Sequence, residues 1–393
     1  MAQRPDRNGG RSSSKELIAL EEYMIMSAEL HYQLTPHAPD PFAILSKIFG
    51  GRELLYKDTL VEAIKLLLYA YKGKYRELGP EAVLHPLRVA AIIMRCMKAP
   101  TLLDLLGALL HDMDEDLTPD QIGRERWDTL QELYHANSAI NIDAEHQWYL
   151  GERLAHYTRV KGQPYHEYLG LLCDSARKMP DLLHVKLSDR LDNTLDTHIY
   201  LPGVTKYNFY RFVFDLLFVP GFKGVEIDEY HVLPTEQEGV KLLSQLFKNS
   251  LFLSILRQEG LDKLDDTTHR LFNGLAVASI REAQWIALEL FSSDEILVQA
   301  QRELVLATMV WTYNQEGIKQ VRTSTDENLL DGTFLERFAV DSKQDRTEAL
   351  SELFMAKPQL AEVLIAFIAT FAKFLNDPDF YIEGIRRKGI QAV

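Results

Sequence analysis

Cysteine is scarce: Cys96 and Cys173 are the only two in 393 residues. Both fall inside apolar helical patterns and read as small core residues. That excludes a disulfide framework and leads us to expect a reducing, cytoplasmic setting. Long apolar runs are also missing. The longest near the C-terminal end, residues 363–372, holds ten uncharged residues. It is too short to cross a bilayer and reads as a buried helix. Residues 1–15 are rich in Arg, Gly and Ser without an apolar run, as in a flexible tail and not a signal peptide. Bases are outnumbered, 43 Lys and Arg against 57 Asp and Glu, giving a net charge of −14. Neither nucleic acid nor a membrane is therefore expected as a partner, although a local basic pocket remains possible. Sustained period-two alternation is absent, so strands should be few, and no internal repeat is present.

What the chain has is helical periodicity. Apolar spacing predicts helices over 16–30, 60–71, 87–97, 101–111, 121–134, 145–159, 165–173 and 181–197. The pattern resumes over 237–257, 267–291, 295–315, 346–354 and 358–375. Pro36, Pro39 and Pro41 read as breaks, and Thr118-Pro-Asp-Gln121 reads as a capping box. Residues 225–234 are the best candidate for a short extended piece. The expected fold is all-α: a tail (1–15), a helical extension (16–54), a motif-bearing domain (55–201) and a C-terminal helical region (202–393). That last region carries no chemical motif; packing, covering the site or homo-oligomer contact is its expected role.

The chemistry centres on Leu105-Leu-Gly-Ala-Leu-Leu-His-Asp-Met-Asp-Glu-Asp116. An apolar helix ends in His111-Asp112, and Asp112, Asp114, Glu115 and Asp116 follow with no Lys or Arg among them. Carboxylates crowded this way resist ionisation unless a cation is near, and a buried His is a natural metal ligand. Taken alone, the acids also fit a solvated helix end. Two further stretches favour a metal. His85 stands before an apolar helix, with Pro86 at its first position. Asp189 and Asn193 are four apart and share a helix face beside Val185, Leu187 and Leu191. His85, His111, Asp112 and Asp189 give two nitrogens and two carboxylates, a set suited to a catalytic transition metal.

These pieces resemble the HD-domain metal phosphohydrolases, and in finer detail the hydrolase half of the RelA/SpoT alarmone enzymes and their small stand-alone relatives. The resemblance runs over roughly residues 55–200 and rests on four stretches in the family's order. They are Arg76 ahead of His85-Pro86; His111-Asp112 with Glu115-Asp116; Tyr157-Thr-Arg-Val-Lys-Gly-Gln-Pro-Tyr165-His-Glu-Tyr168; and Lys186-Leu-Ser-Asp189-Arg-Leu-Asp-Asn193. It implies a helical HD bundle, a bound divalent ion (manganese) and a phosphorylated nucleotide as substrate, with Asn193 near its sugar. The chain lacks any sign of the alarmone synthetase partner domain. It departs from the alarmone hydrolases at Glu77, at Gly79-Pro80-Glu81-Ala82 and at Asp192, where the family has a base, Gly-Glu-Pro-Tyr and His. These changes spare the expected ligands and fall on positions expected to face the substrate.

Around such a metal, Glu115 or Asp116 would orient or deprotonate the attacking water. Glu115, four residues after His111, is expected on the same helix face. Lys72, Lys74 and Arg76, with Arg159 and Lys161, are expected to meet an anionic substrate. Tyr157, Tyr165 and Tyr168 fit either a nucleobase platform or ordinary core, and Arg190 either the site or a surface ion pair. Three functions follow: (p)ppGpp 3′-pyrophosphohydrolase; HD hydrolase of another nucleotide, such as an NADPH phosphatase or a nucleotidase; or a catalytically silent nucleotide sensor.

Overall fold

The computed structural model describes residues 17–76, 79–135, 142–160, 162–196, 208–224, 235–292, 297–314 and 342–390. The expected tail, Glu77, Lys161 and the extended piece at 225–234 lie outside them. The fold is all-α, as the periodicity requires. The strands among the described residues form one short hairpin, β1 (Ile385–Arg386) and β2 (Gly389–Ile390).

The chain opens with α1 (Leu20–Leu34), α2 (Pro41–Phe49) and α3 (Lys57–Ala70). Pro41 does not break the chain. It begins α2, where its missing N–H costs nothing, and Asp40 caps the Phe42 N–H. The helix stops at Gly50, whose φ of 56° suits a residue without Cβ. Next comes α4 (Leu84–Cys96), in which every residue but Arg95 is buried. A helix apolar all round belongs at the centre of a bundle.

Helix α5 (Leu102–Leu110) packs on α4 after the Thr101–Asp104 capping box. A Cβ at Gly107 would lie 3.3 Å from the Tyr157 hydroxyl and 3.5 Å from Val185, so glycine allows this close approach. Short helices α6 (Met113–Asp116) and α7 (Pro119–Ile122) follow, then α8 (Arg124–His135), α9 (Ala144–Tyr157) and α10 (Tyr165–Ala176). The capping box expected at Thr118–Gln121 is present. The segment read as one helix over 121–134 is two, parted at Gly123.

Helix α11 (Asp181–Leu195) is the second central helix, buried except at Asp181, Lys186 and Asn193. It touches both halves, packing on α4 and α5 and on the later helix Asp266–Ser292. The second half contains α12 (Phe209–Phe218), α13 (Glu236–Gln258), α14 (Asp266–Ser292), α15 (Val298–Asn314), α16 (Lys343–Met355) and α17 (Lys357–Asn376). Helix α17 is longer than the apolar run it contains. It is long and apolar enough to cross a membrane, yet most of that window is buried, much of it against α14. One apolar core runs from Ile18 to Ile385 across the expected boundaries at 54 and 201. Each fully buried Leu or Ile in it contributes about 1.5–3 kcal/mol.

Candidate metal centre

Side chains from three stretches far apart in sequence converge where α4, α5 and α11 meet. One ligand atom each from His85, His111, Asp112 and Asp189 lies within 4.8 Å of the others, and the group can hold a metal ion. His85 is not ahead of its helix, as expected, but in the first turn of α4 and only 5% exposed. Pro86 is correspondingly the third helical residue. The α5 helix ends at Leu110, and Asp112 stands between α5 and α6. Glu115 is thus placed by this break and not by a continued helical face.

Both imidazoles are oriented from behind. His111 Nδ1 lies 2.9 Å from the Ala108 carbonyl, and His85 Nδ1 lies 2.7 Å from Asp192 Oδ2. Each partner accepts, so each Nδ1 carries a proton and each Nε2 faces inward. Neither Nε2 has a hydrogen-bond partner among the described residues, although both are buried. His85 Nε2 is 3.2 Å from Asp112 and 3.3 Å from Asp189; His111 Nε2 is 3.2 Å from Asp112. These are close approaches without hydrogen-bond alignment. Buried orphan atoms of this kind are costly, and a cation shared by the four groups satisfies them.

The electrostatics agree. Burial lowers the basicity of His111, but Asp112 and Asp189 outweigh it and raise its pKa to about 9; His85 is raised in the same way. Burial also opposes ionisation of Asp112 and Asp189. The histidines on Asp112, and Lys186 with the histidines on Asp189, hold both far below the usual carboxylate range. The cluster thus demands positive charge, from two imidazolium protons or from a metal. Lys186 Nζ lies 2.8 Å from Asp189, and Asn193 Nδ2 donates to Asp189 across 2.6 Å.

Asp192, expected to face the substrate, is instead fully buried behind His85. It accepts from both Arg88 Nε (2.8 Å) and Nη2 (3.0 Å), and from the Tyr23 hydroxyl (2.7 Å). Glu81, another departure from the family pattern, also turns away, lying 3.3 Å from His31. Arg88, Tyr23 and Asp192 orient His85; Arg88 and Tyr23 were not found from sequence, and Asp192 stood there only as a position expected to face the substrate. Asp192 had a local signal: three residues after Asp189, it shares that helix face.

The remaining expected residues divide into two groups. Glu115, Arg159, Tyr165, Tyr168 and Asn193 line a cavity of about 170 Å³ beside Asp112 and Asp189. Burial raises the Glu115 pKa, and the Arg159 backbone N–H donates to this carboxylate. Tyr165 and Tyr168 stack with ring centres 6.0 Å apart, and the Tyr165 hydroxyl is buried without a partner among the described residues. The second group lies off this wall. Asp116 faces the Tyr71 hydroxyl at 3.3 Å, its pKa raised by burial and by Asp112; Lys74 Nζ donates to the Asp116 carbonyl. Arg76 donates to Asp196 (2.9 Å) and to Asn193 Oδ1 (2.6 Å). Tyr157 is core, 2% exposed.

Arg190 is no surface residue. It is buried, donates to Asn249 and Gln245 of α13, and reaches the cavity wall together with Lys186 and Lys248. The half expected to carry no chemistry thus supplies Lys248. No protein-family model matches this chain, and no curated protein matches it significantly.

Proposed function

We propose that the chain is a divalent-metal-dependent phosphohydrolase acting on a phosphorylated nucleotide. The observation that carries this reading is the pair of buried Nε2 atoms without partners, facing two carboxylates and held from behind by Ala108 and Asp192. His85, His111, Asp112 and Asp189 would hold the ion, manganese by the resemblance to HD phosphohydrolases. When bound, such an ion lowers the pKa of water and polarises a phosphoryl oxygen.

The chain's own groups complete the chemistry. Glu115, whose carboxylate burial makes more basic, would take the proton of the attacking water. Lys186 orients Asp189 and adds positive charge to the cavity wall. Arg159 and the Tyr165–Tyr168 pair offer a cation and a flat aromatic face to a nucleotide.

The finer reading is removal of the 3′-pyrophosphate of (p)ppGpp. Glu81 and Asp192 face His31 and His85 and not the cavity, so two departures from the alarmone hydrolases leave its wall untouched. Incubating the full chain and manganese with (p)ppGpp, NADPH and nucleoside phosphates tests the reading. Pyrophosphate release from (p)ppGpp alone supports it. Orthophosphate release from another nucleotide moves the activity to that substrate. Tight binding without turnover in the metal-loaded protein overturns the enzyme reading in favour of a sensor.

A further inference from the structure

Several buried or half-buried cations here face a carboxylate. Arg88 meets Asp192 and Asp196, Arg257 lies 2.8 Å from Asp262, Arg153 meets Asp181, and Lys186 meets Asp189. Three cations on the cavity wall break this pattern. Arg190 is buried, yet among the described residues its guanidinium donates only to oxygens of Asn249 and Gln245, which carry no charge. Lys248, one turn before Phe252 on α13, has no carboxylate partner among the described residues. The Arg159 guanidinium lies 6.0 Å from the Tyr165 ring centre and likewise forms no ion pair among the described residues.

The acids on the same wall are otherwise engaged. Asp189 is held by Lys186 and Asn193, Asp112 by the two histidines, and Glu115 by the Arg159 backbone N–H. Burial pushes the Lys248 ammonium down to about 7, and Arg190, Arg159, Arg346 and Lys186 all push it further the same way. A desolvated cation among cations is unfavourable unless something negative joins it. That such a cluster lines a cavity in a protein of net charge −14 calls for an anion from outside.

We propose that Lys248 and Arg159 form an anion subsite for a second phosphate of the substrate, separate from the one at the His/Asp cluster. The C-terminal half then completes the binding site, and the substrate class narrows to nucleotides bearing at least two phosphoryl groups. This rests on the phosphohydrolase reading for the reacting phosphate; the subsite itself requires only an anion.

The test titrates inorganic pyrophosphate into the full chain by calorimetry, once stripped with chelator and once loaded with manganese and freed of excess ion. Wild type binds in both states. Lys248→Met weakens binding about tenfold or more in both, the effect of losing one charged hydrogen bond, while manganese stoichiometry stays unchanged. Lys248→Arg retains most of the affinity, and Lys248→Gln makes the same comparison should the Met variant fail to fold. Unchanged affinity in the neutral variants, or no binding by wild type in either state, overturns the subsite. Loss of manganese together with pyrophosphate in both neutral variants also overturns it, because Lys248 then belongs to the metal site. Failure of the metal reading looks different. Wild type then takes up no manganese, while Lys248→Met still weakens pyrophosphate binding in the stripped protein, which supports the subsite.

Discussion

Helix α11 contributes to two histidine–aspartate groups, and they are built to opposite ends. In one, His184 lies 3.5 Å from Asp104 through Nδ1 and 3.0 Å from Asp265 through Nε2. Thr101 and Thr268 complete those carboxylates, so this group ties the starts of α5 and α14 to α11. Both ring nitrogens are used. In the other, His85 and His111 each use Nδ1 alone and leave Nε2 bare beside Asp112 and Asp189. The residue types are the same; the difference is whether the second nitrogen finds a partner. A satisfied pair is a structural tie, whereas a set of bare donor atoms sharing one centre is a place for a cation.

The comparison breaks most directly at the ligands. His111→Ala and Asp189→Ala should each reduce bound manganese to background and hydrolysis by about 10³-fold, while His184→Ala keeps full metal content. Elemental analysis of the three purified variants decides it; full metal in either ligand variant refutes the assignment. A smaller loss is expected one layer back. Asp192→Asn, which weakens the hold on His85 Nδ1, should lower manganese affinity about 10- to 100-fold without abolishing it. Competition against a fluorescent chelator measures that ratio, and wild-type affinity would reduce Asp192 to a partner of Arg88 and Tyr23. On the structural side, His184→Leu strands the buried Asp104 and should cost about 2 kcal/mol in urea unfolding, with manganese affinity unmoved.

How far the sequence reaches follows from the range of each interaction. His111-Asp112 was legible because it ends an apolar helical run, and Asp189 with Asn193 because helical spacing puts both on one face. The all-α fold was legible for the same reason. Helix ends were less so: Pro41 opens α2 instead of ending a segment, and the break at Asp112 re-aims Glu115. The supports of the site are long-range. Tyr23 meets Asp192 across 169 positions and Arg88 meets it across 104, and neither leaves a local mark. Lys248 was hidden more thoroughly, because a lysine in an amphipathic helix ordinarily lies on a solvated face. Only the packing of α13 against α10 and α11 turns it towards a cavity.

The gentlest probe of the comparison is pH, because the two groups should answer it with opposite signs. Burial lowers the His184 pKa, but Asp104 and Asp265 outweigh it and leave it raised. A raised folded-state pKa stabilises fully below the unfolded value near ~6.5, and that contribution is lost as pH rises through the folded value. Asp104 and Asp265 are depressed; burial opposes this, but hydrogen bonds from His184 and Thr101, and from Thr268 and His184, prevail. Their contribution is present above the unfolded carboxylate value near ~4 and lost only as pH falls further. The window of full effect is therefore about pH 5–6. In chelator-stripped protein, the stability gap between wild type and His184→Gln should be widest there and shrink by on the order of 1 kcal/mol towards pH 9. The metal group runs the other way. His111, raised to about 9, and His85 must shed protons before Nε2 can bind an ion. Manganese affinity should therefore climb from pH 6 to 9, by about tenfold per unit for each proton displaced. Urea titrations and manganese titrations at both pH values measure the two slopes. If both carried the same sign, the two groups would be doing the same job.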